Sequence, residues 1–162
     1  MNVIVLADTH IPARASRIPP IVIAALEQAD LIIHAGDVVT REVLEELRTF
    51  APVEAVIGNM DEPALRSVLP VRQTVSIGSK RVGIVHGHGG ATALSVARRA
   101  FPRGSVDAVV FGHSHLPLIE WVDDALLFNP GSPTDRRLAP RCSFGRLSIS
   151  DTGDLVAEHV WI

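Results

Sequence analysis

Residues 106–115, Val-Asp-Ala-Val-Val-Phe-Gly-His-Ser-His, join a short apolar run to two histidines that are two positions apart. A continuous apolar run of this length is typical of a strand that is buried on both faces. Gly112 marks the point where the strand ends and the chain has to turn tightly. The segment therefore predicts a buried strand whose carboxyl end carries imidazole side chains.

Four other apolar runs along the chain end in the same manner, at a Gly, His or Asp residue. They cover residues 2–7, 31–35, 53–57 and 82–86. In open α/β sheets, ligands bind at the carboxyl ends of the strands. We therefore expect the polar residues that follow these runs to meet in one region.

Helical patterns separate these runs. Pro19 and Pro20 suit the start of a helix, and Thr40 is a candidate N-cap of the next one. Residues 91–101 place apolar side chains on one stripe, which predicts a further helix. The loops between these elements, at 11–20, 61–73 and 131–142, are the segments expected to set specificity.

The last third of the chain has a different pattern. Its strand-like runs cover residues 117–122, 125–129, 143–150 and 154–161, and turn residues join them into two hairpins. Strand–helix alternation followed by hairpins favours an α/β fold with two packed β-sheets flanked by helices. We expect residues 1–162 to form a single domain, because this length is typical of one.

Composition excludes several classes of protein. The net charge of −3 argues against a broad nucleic-acid-binding surface, and 47% hydrophobic residues with 20% charged ones exclude a disordered chain. The single cysteine, Cys142, excludes an intrachain disulfide or a cysteine-based zinc site. No signal peptide and no apolar run of membrane-spanning length is visible, so we expect a cytoplasmic protein without membrane contact.

Carboxylate, amide and imidazole groups follow the five predicted buried strands. The seven candidate metal ligands are Asp8, His10, Asp37, Asn59, His86, His113 and His115. This mixture of ligands suits Mn, Fe, Zn, Ni or Co better than Mg or Ca. Seven ligands exceed the four of a tetrahedral site, so we expect two divalent ions that share one bridging carboxylate.

The spacing of the candidate ligands is informative. Asp8 and His10 are two positions apart, as are His113 and His115. In an extended segment, residues with this spacing point to one side, with Cα atoms about 6.6 Å apart. Each pair can therefore reach a shared metal cluster.

The ordered series Asp-x-His, Gly-Asp, Gly-Asn, His and Gly-His-x-His, between residues 8 and 115, resembles that of the calcineurin-like metallophosphoesterases. Asn129-Pro130-Gly131-Ser132 extends the similarity to the small prokaryotic phosphodiesterases of this family. The resemblance implies a four-layer αββα sandwich, with two mixed sheets packed face to face. It also implies a phosphoesterase that depends on two metal ions, with manganese as the first choice.

The resemblance further implies a division of the ligands. One ion would be held by Asp8, His10, Asp37 and His115, and the other by Asp37, Asn59, His86 and His113. Asp37 is then the bridge. Two divalent ions, two aspartates and one bridging hydroxide leave a net charge of about +1, which favours a phosphoryl oxygen. The hydroxide would attack phosphorus in a small phosphate ester, such as a nucleotide.

One position departs from the family pattern. Larger members have a histidine directly after the Gly-Asn pair, where it is thought to protonate the leaving group or bind phosphate, whereas this chain has Met60. Asp61 and His88 are the candidates to supply a proton instead. For His88, contact with the substrate and a solvent-facing loop position remain equal alternatives.

Other readings stay open. His34 is expected in the core or hydrogen-bonded near the ligands rather than as a ligand, and His159 is expected to be structural. Arg136, Arg137 and Arg141 are expected in a solvated loop, with phosphate binding or an oligomer contact as the alternatives. The main alternative to an enzyme is a non-catalytic protein-binding scaffold on the same fold, as in a retromer subunit that resembles the family. A phosphomonoesterase, a pyrophosphatase and a homo-oligomer also remain open.

Overall fold

The computed structural model describes residues 1–150 and 152–162, and two five-stranded sheets form its centre. The first sheet contains β1 (Asn2–Leu6), β2 (Leu31–His34), β3 (Val53–Ala55), β9 (Ser143–Ile149) and β10 (Leu155–Trp161), in the order β10-β9-β1-β2-β3. The second contains β4 (Arg72–Ile77), β5 (Lys80–Val85), β6 (Ala108–Phe111), β7 (Leu118–Val122) and β8 (Ala125–Asn129), in the order β4-β5-β6-β8-β7.

Both sheets are mixed, and each contains three adjacent parallel strands. In the first sheet β1 pairs in parallel with β2, and β2 with β3, while β9 and β10 add antiparallel strands. In the second sheet β5, β6 and β8 are parallel, with β4 and β7 antiparallel at the edges. The carboxyl ends of the parallel strands consequently share an edge in each sheet.

The alternating side chains of the central strands explain the four layers. In β1, Val3 and Val5 pack in a cluster with side chains of the second sheet, such as Ile84 and Val110. Ile4 and Leu6 point to the other face, which packs against helices. The strand is therefore buried on both faces, and its sequence is continuously apolar. The αββα sandwich with two mixed sheets is confirmed.

Four short helices cover the outer faces. They are α1 (Pro20–Leu26), α2 (Arg41–Arg48), α3 (Pro63–Arg66) and α4 (Ala93–Ala97). Helix α2 buries Val43, Leu44 and Leu47, at the spacing of one helical face. No helix in the described ranges is long and apolar enough to cross a membrane.

The structure corrects three expectations about these elements. Thr40 is the N-cap residue of α2, but its side chain makes no capping hydrogen bond. The helix expected over 91–101 is shorter: Thr92 caps it through a 3.0 Å bond from Ser95 N, and the chain turns before Pro102. Strand β4 begins within the loop expected at 61–73, because its alternating, half-exposed residues at the sheet edge lack a continuous apolar run.

Candidate metal centre

Two groups of side chains meet at the carboxyl ends of the parallel strands. The first group is Asp8, His10 and His115, and the second group is Asp37, His86 and His113. Within each group one ligand atom per residue lies within 4.8 Å of the others. The seventh candidate, Asn59, places its Oδ1 3.1 Å from His86 Nε2. The structure thus brings all seven candidates to one cleft.

The first group is fully enclosed. The Nε2 atoms of His10 and His115 are 3.1 Å apart, and His115 Nε2 lies 3.6 Å from Asp8 Oδ1. Both carboxylate oxygens of Asp8 are buried, and neither accepts a hydrogen bond from any described residue. Burial raises the pKa of Asp8 to about 7. A buried carboxylate without a donor, facing two imidazole nitrogens, fits a divalent cation.

Asp37 lies between the two groups. Its Oδ2 is 3.2 Å from His86 Nε2 and 3.5 Å from His10 Nε2. Burial raises the pKa of Asp37, but the hydrogen bond and charge of a protonated His86, the Met60 N–H and the charge of His10 together outweigh burial and lower that pKa to about 2. Its Oδ1 accepts a 2.8 Å bond from the backbone N–H of Met60. One carboxylate oxygen therefore faces members of both groups, the position that a bridging ligand requires.

Two histidines are oriented by backbone carbonyls. His86 Nδ1 lies 2.8 Å from Ala35 O, and His115 Nδ1 lies 2.5 Å from Asp135 O. A carbonyl only accepts, so each Nδ1 is the donor and each Nε2 keeps its lone pair when the ring is neutral. Burial lowers the pKa of His115 to about 4, which favours the neutral ring. Such outer hydrogen bonds fix the tautomer of a metal-ligating histidine.

The backbone at the ligands is not extended. Positive φ angles occur at Asp8 (54°), His10 (44°), Asp37 (57°), His113 (69°) and His115 (60°). The extended geometry expected for both pairs is therefore wrong, since the strands end in left-handed turns. Non-glycine residues adopt this region only where the surrounding structure imposes it, commonly at functional sites. As a result His113 and His115 contribute to different groups.

Glycine is required where these turns approach each other. Gly36 has a φ of +91°, and a Cβ there would lie 2.6 Å from His86 Nδ1. A Cβ at Gly112 would lie 2.9 Å from Asp8 Oδ2 and 2.8 Å from Ala7 Cβ. The close packing of backbone against ligand side chains explains the Gly-Asp and Gly-His pairs.

Hydroxyl groups after β8 support the first group, and sequence analysis did not identify their role. Ser132 Oγ donates to Asp8 O (2.7 Å), and Thr134 Oγ1 donates to Thr9 O (2.6 Å). Asn129 Nδ2 donates to Gly112 O (3.1 Å). The Asn-Pro-Gly-Ser segment thus holds two ligand-bearing turns together. Polar residues that directly follow a buried strand were the available signal.

Asp61 connects the turns that carry Asp37 and Asn59. Its Oδ1 accepts a 2.6 Å bond from Val39 N, and its Oδ2 accepts a 2.6 Å bond from Gly58 N. Its side chain is buried, with 3% of the residue exposed. Two backbone donors suit a carboxylate, which argues against Asp61 as a proton donor and favours a positioning role.

His88 and Met60 lie at the open side of the cleft. The His88 ring centroid is 5.4 Å from that of His86, and its Nδ1 is buried without a hydrogen-bond partner in the described ranges. Burial lowers the pKa of His88. Met60 is 56% exposed, so its side chain offers the cleft only a flexible thioether.

The remaining candidates have structural contacts. His34 is buried, its Nε2 lies 3.2 Å from Thr9 Oγ1, and burial lowers its pKa to about 3. His159 Nε2 lies 2.8 Å from Asn129 O. Arg137 Nη1 donates to His113 O (3.2 Å), and Arg141 stacks on a tryptophan ring. All three loop arginines are exposed, so the expected solvated loop is confirmed, and each also contacts a protein partner.

Solved structures with similar folds come from two kinds of protein. Vps29 from Entamoeba histolytica superimposes with a TM-score of 0.76 and 28% identity, over 100% of this chain and 99% of that chain. An archaeal phosphodiesterase superimposes with a TM-score of 0.73 and 25% identity, over 99% of this chain and all of the other.

Sequence relatives point to the same family. A probable metallophosphoesterase from Methanothermobacter thermautotrophicus is 40% identical over 146 residues, which cover 83% of this chain and 78% of the relative. A phosphodiesterase from Methanocaldococcus jannaschii is 30% identical over 143 residues, covering 81% and 83%. Residues 1–152 match the model of the calcineurin-like phosphoesterase superfamily domain. With this match and the ligand cleft in place, the chain belongs to the calcineurin-like phosphoesterase superfamily.

Proposed function

We propose that the protein is a metal-dependent phosphodiesterase with two divalent ions, preferentially manganese, in the cleft. The observation that carries the proposal is the pair of buried ligand groups that Asp37 joins. Divalent ions held there would act as Lewis acids and lower the pKa of a coordinated water. The small prokaryotic phosphodiesterases that this chain resembles support the choice of reaction.

The protein's own residues define what such a cleft binds. Asp8 and Asp37 bring two negative charges, and neutral histidines bring none, so two divalent ions would leave the cleft positively charged. A positive cleft attracts the oxygens of a phosphate ester. His88 and Asn59, at the open side, are then in position to contact the substrate. The buried Asp8 side closes the cleft, so the ester must enter from the side of Met60.

The side chain at position 60 favours diesters with good leaving groups. Met60 offers no proton, and both oxygens of Asp61 are engaged by backbone donors. A departing alkoxide would therefore receive no proton from these two residues, whereas a nitrophenolate leaves readily without protonation. We propose small phosphate esters as substrates, and the cytoplasm as the compartment, which the single Cys142 supports.

The test combines metal content with turnover. Purified protein loaded with Mn²⁺ should bind two ions and hydrolyse bis(4-nitrophenyl) phosphate. It should act more slowly on 4-nitrophenyl phosphate and on pyrophosphate. His10→Ala should lose activity, while His159→Ala, which removes an imidazole outside the cleft, should keep it. Metal binding without hydrolysis of any of the three compounds would overturn the proposal.

A protein-binding scaffold is the second candidate. The likeness to Vps29 over the whole chain favours it. The complete set of ligand side chains in the cleft favours the enzyme instead. Protein that binds two ions but hydrolyses no phosphate ester would therefore favour the scaffold function.

A further inference from the structure

A groove runs from the metal-ligand cleft toward the far end of α4. It has a volume of about 510 Å³ and opens beside His86 and His88. Arg72, at the start of β4 and paired with Val85 in the sheet, and Arg99, just after α4, also line it. This volume is within the range of sites that bind small molecules. The groove is thus continuous with the candidate metal centre and large enough for part of a substrate.

The local structure explains which side chains face the groove. Arg99 follows Ser95 by four positions and Val96 by three, so it shares one side of α4 and its C-terminal turn with each of them. The capping box between Thr92 and Ser95 fixes the start of this helix. Val71 and Val85 add apolar surface to the groove. The groove therefore combines apolar surface with two basic side chains.

The charges in the groove are unbalanced. Its lining contains Arg72 and Arg99, and no carboxylate from the described ranges. Arg72 Nη1 donates a 2.6 Å bond to Ala100 O, which fixes one guanidinium beside the last turn of α4. Arg98, the neighbour of Arg99, lies outside the groove and pairs with Glu120 at 2.9 Å. Within the described chain Arg99 has no such ion pair, so its exposed guanidinium is available to an anion.

We propose that this groove selects the substrate through a second anionic group. The reacting phosphate would lie at the His86 and His88 end, the apolar body of the retained substituent against Val71 and Val96, and its carboxylate or phosphate on Arg99. The inference rests on the proposed function and names its substrate class: phosphodiesters that carry a further anion on the substituent that is not released. The groove offers both the apolar surface and the guanidinium groups that such a substituent requires.

Matched substrates test the proposal. All release 4-nitrophenolate, and the retained group is phenyl, 4-carboxyphenyl or 4-phosphonooxyphenyl. We expect the native enzyme to favour an anionic substrate over the phenyl one by about tenfold in kcat/KM, the effect of one charge-assisted hydrogen bond. Comparing the 4-carboxyphenyl substrate with the 4-phosphonooxyphenyl substrate shows which anion the groove prefers. Arg99→Met should remove the preference, with little change for the phenyl substrate.

Arg98→Met is the matched control, because it removes the same charge one residue away and outside the groove. It should keep the preference. Equal kcat/KM values for all substrates in the native enzyme, or the same loss in both variants, would overturn the groove assignment and leave the hydrolase function intact.

A binding measurement separates failure of the groove from failure of the proposed function. Calorimetry would compare phenyl phosphate with 4-carboxyphenyl phosphate on Mn²⁺-loaded native protein and Arg99→Met. If none of the diesters is hydrolysed, the proposed function fails. Tighter binding of the carboxylated compound that depends on Arg99 would still support anion recognition in the groove, and equal binding would reject it.

Discussion

The two groups of ligands share one cleft but differ in how completely they are enclosed. In the first group Asp8 and His115 are completely buried, and hydrogen bonds from Ser132 and to Asp135 hold their turns. In the second group His113 is partly exposed, and the neighbouring Asn59 lies at the surface. The enclosed side is suited to fixing an ion, while the open side is suited to admitting a substrate.

This difference follows from the order of the chain. The segment that begins at the end of β8 contacts the turns after β1 and β6. Its Ser132 and Thr134 hydroxyls donate to the first turn, and the Asn129 amide donates to the second. Among the described residues no hydroxyl group covers the turn after β3 in this manner. Bonds to Asp61, from Met60 N–H to Asp37 and from Glu62 N–H to Val39 O tie it to the turn after β2. The enclosed side is therefore supported by hydroxyl groups from a distant segment, and the open side by bonds between the two turns.

The largest expected effect is at Asp37, the residue that faces both groups. Asp37→Asn removes the charge that both ions would share, so we expect kcat/KM for bis(4-nitrophenyl) phosphate to fall by more than about 100-fold. Loss of a residue that only supports a ligand costs about 10–100-fold in metal affinity or activity. Steady-state kinetics at saturating Mn²⁺ measure the change.

Asp61→Asn is the comparison for this variant. The amide nitrogen of the new side chain would face one of the two backbone N–H groups, leaving that buried donor unpaired at a cost of about 1–3 kcal/mol in the free energy of unfolding. The activity that remains should exceed that of Asp37→Asn. Equal activity losses in the two variants, with both folded, would contradict the bridging position of Asp37.

The enclosed side depends on its outer hydrogen bonds. Ser132→Ala removes the bond to Asp8 O, and we expect Mn²⁺ affinity of the first group to fall by about 10–100-fold. Ser143→Ala removes a buried hydroxyl that bonds to Pro130 O instead, so it should lose stability without losing affinity. Titration of metal-free protein would show this, and equal affinities in the two variants would count against the support role.

The difference between the groups should also appear as stepwise loading. We expect the first group to bind Mn²⁺ about tenfold more tightly than the second, because its three ligands are all buried, whereas His113 of the second group is partly exposed. In a calorimetric titration His10→Ala should remove the tighter step, and His113→Ala the weaker one. A single step with two equivalent ions, or the opposite pattern in the variants, would show that enclosure does not set affinity.

The sequence predicted the enclosed centre of the molecule better than its edges. Strands β1, β2 and β6 are continuous apolar runs because both their faces are buried, and each ends in candidate ligands. Strand β4 and helix α3 were not predicted, since a half-exposed strand and a four-residue helix leave no clear periodicity.

The site shows the same limit. The ligand types were readable from their order along the chain. The left-handed conformations of Asp8 and His113 were not, because they are imposed by contacts between turns that are distant in sequence. The role of Ser132 was hidden for a similar reason: its partner, Asp8 O, is 124 positions away.

The smallest expected effect is at Met60, on the open side. Its backbone N–H binds Asp37, but its side chain is largely exposed and the cleft does not position it. A general acid that is held in place is worth about 10²–10⁴-fold. An imidazole at this exposed position should recover only a small part of that, and only for leaving groups that need a proton.

We expect kcat/KM of the native enzyme to fall steeply as the pKa of the leaving group rises from nitrophenol to alkyl alcohols. Met60→His should make that fall less steep and leave the nitrophenyl diester unchanged, and Met60→Gln controls for the change in shape. A series in which the native rate hardly varies with leaving-group pKa would mean that a proton is already supplied. Since both oxygens of Asp61 accept backbone bonds, His88 would then be the residue to replace next.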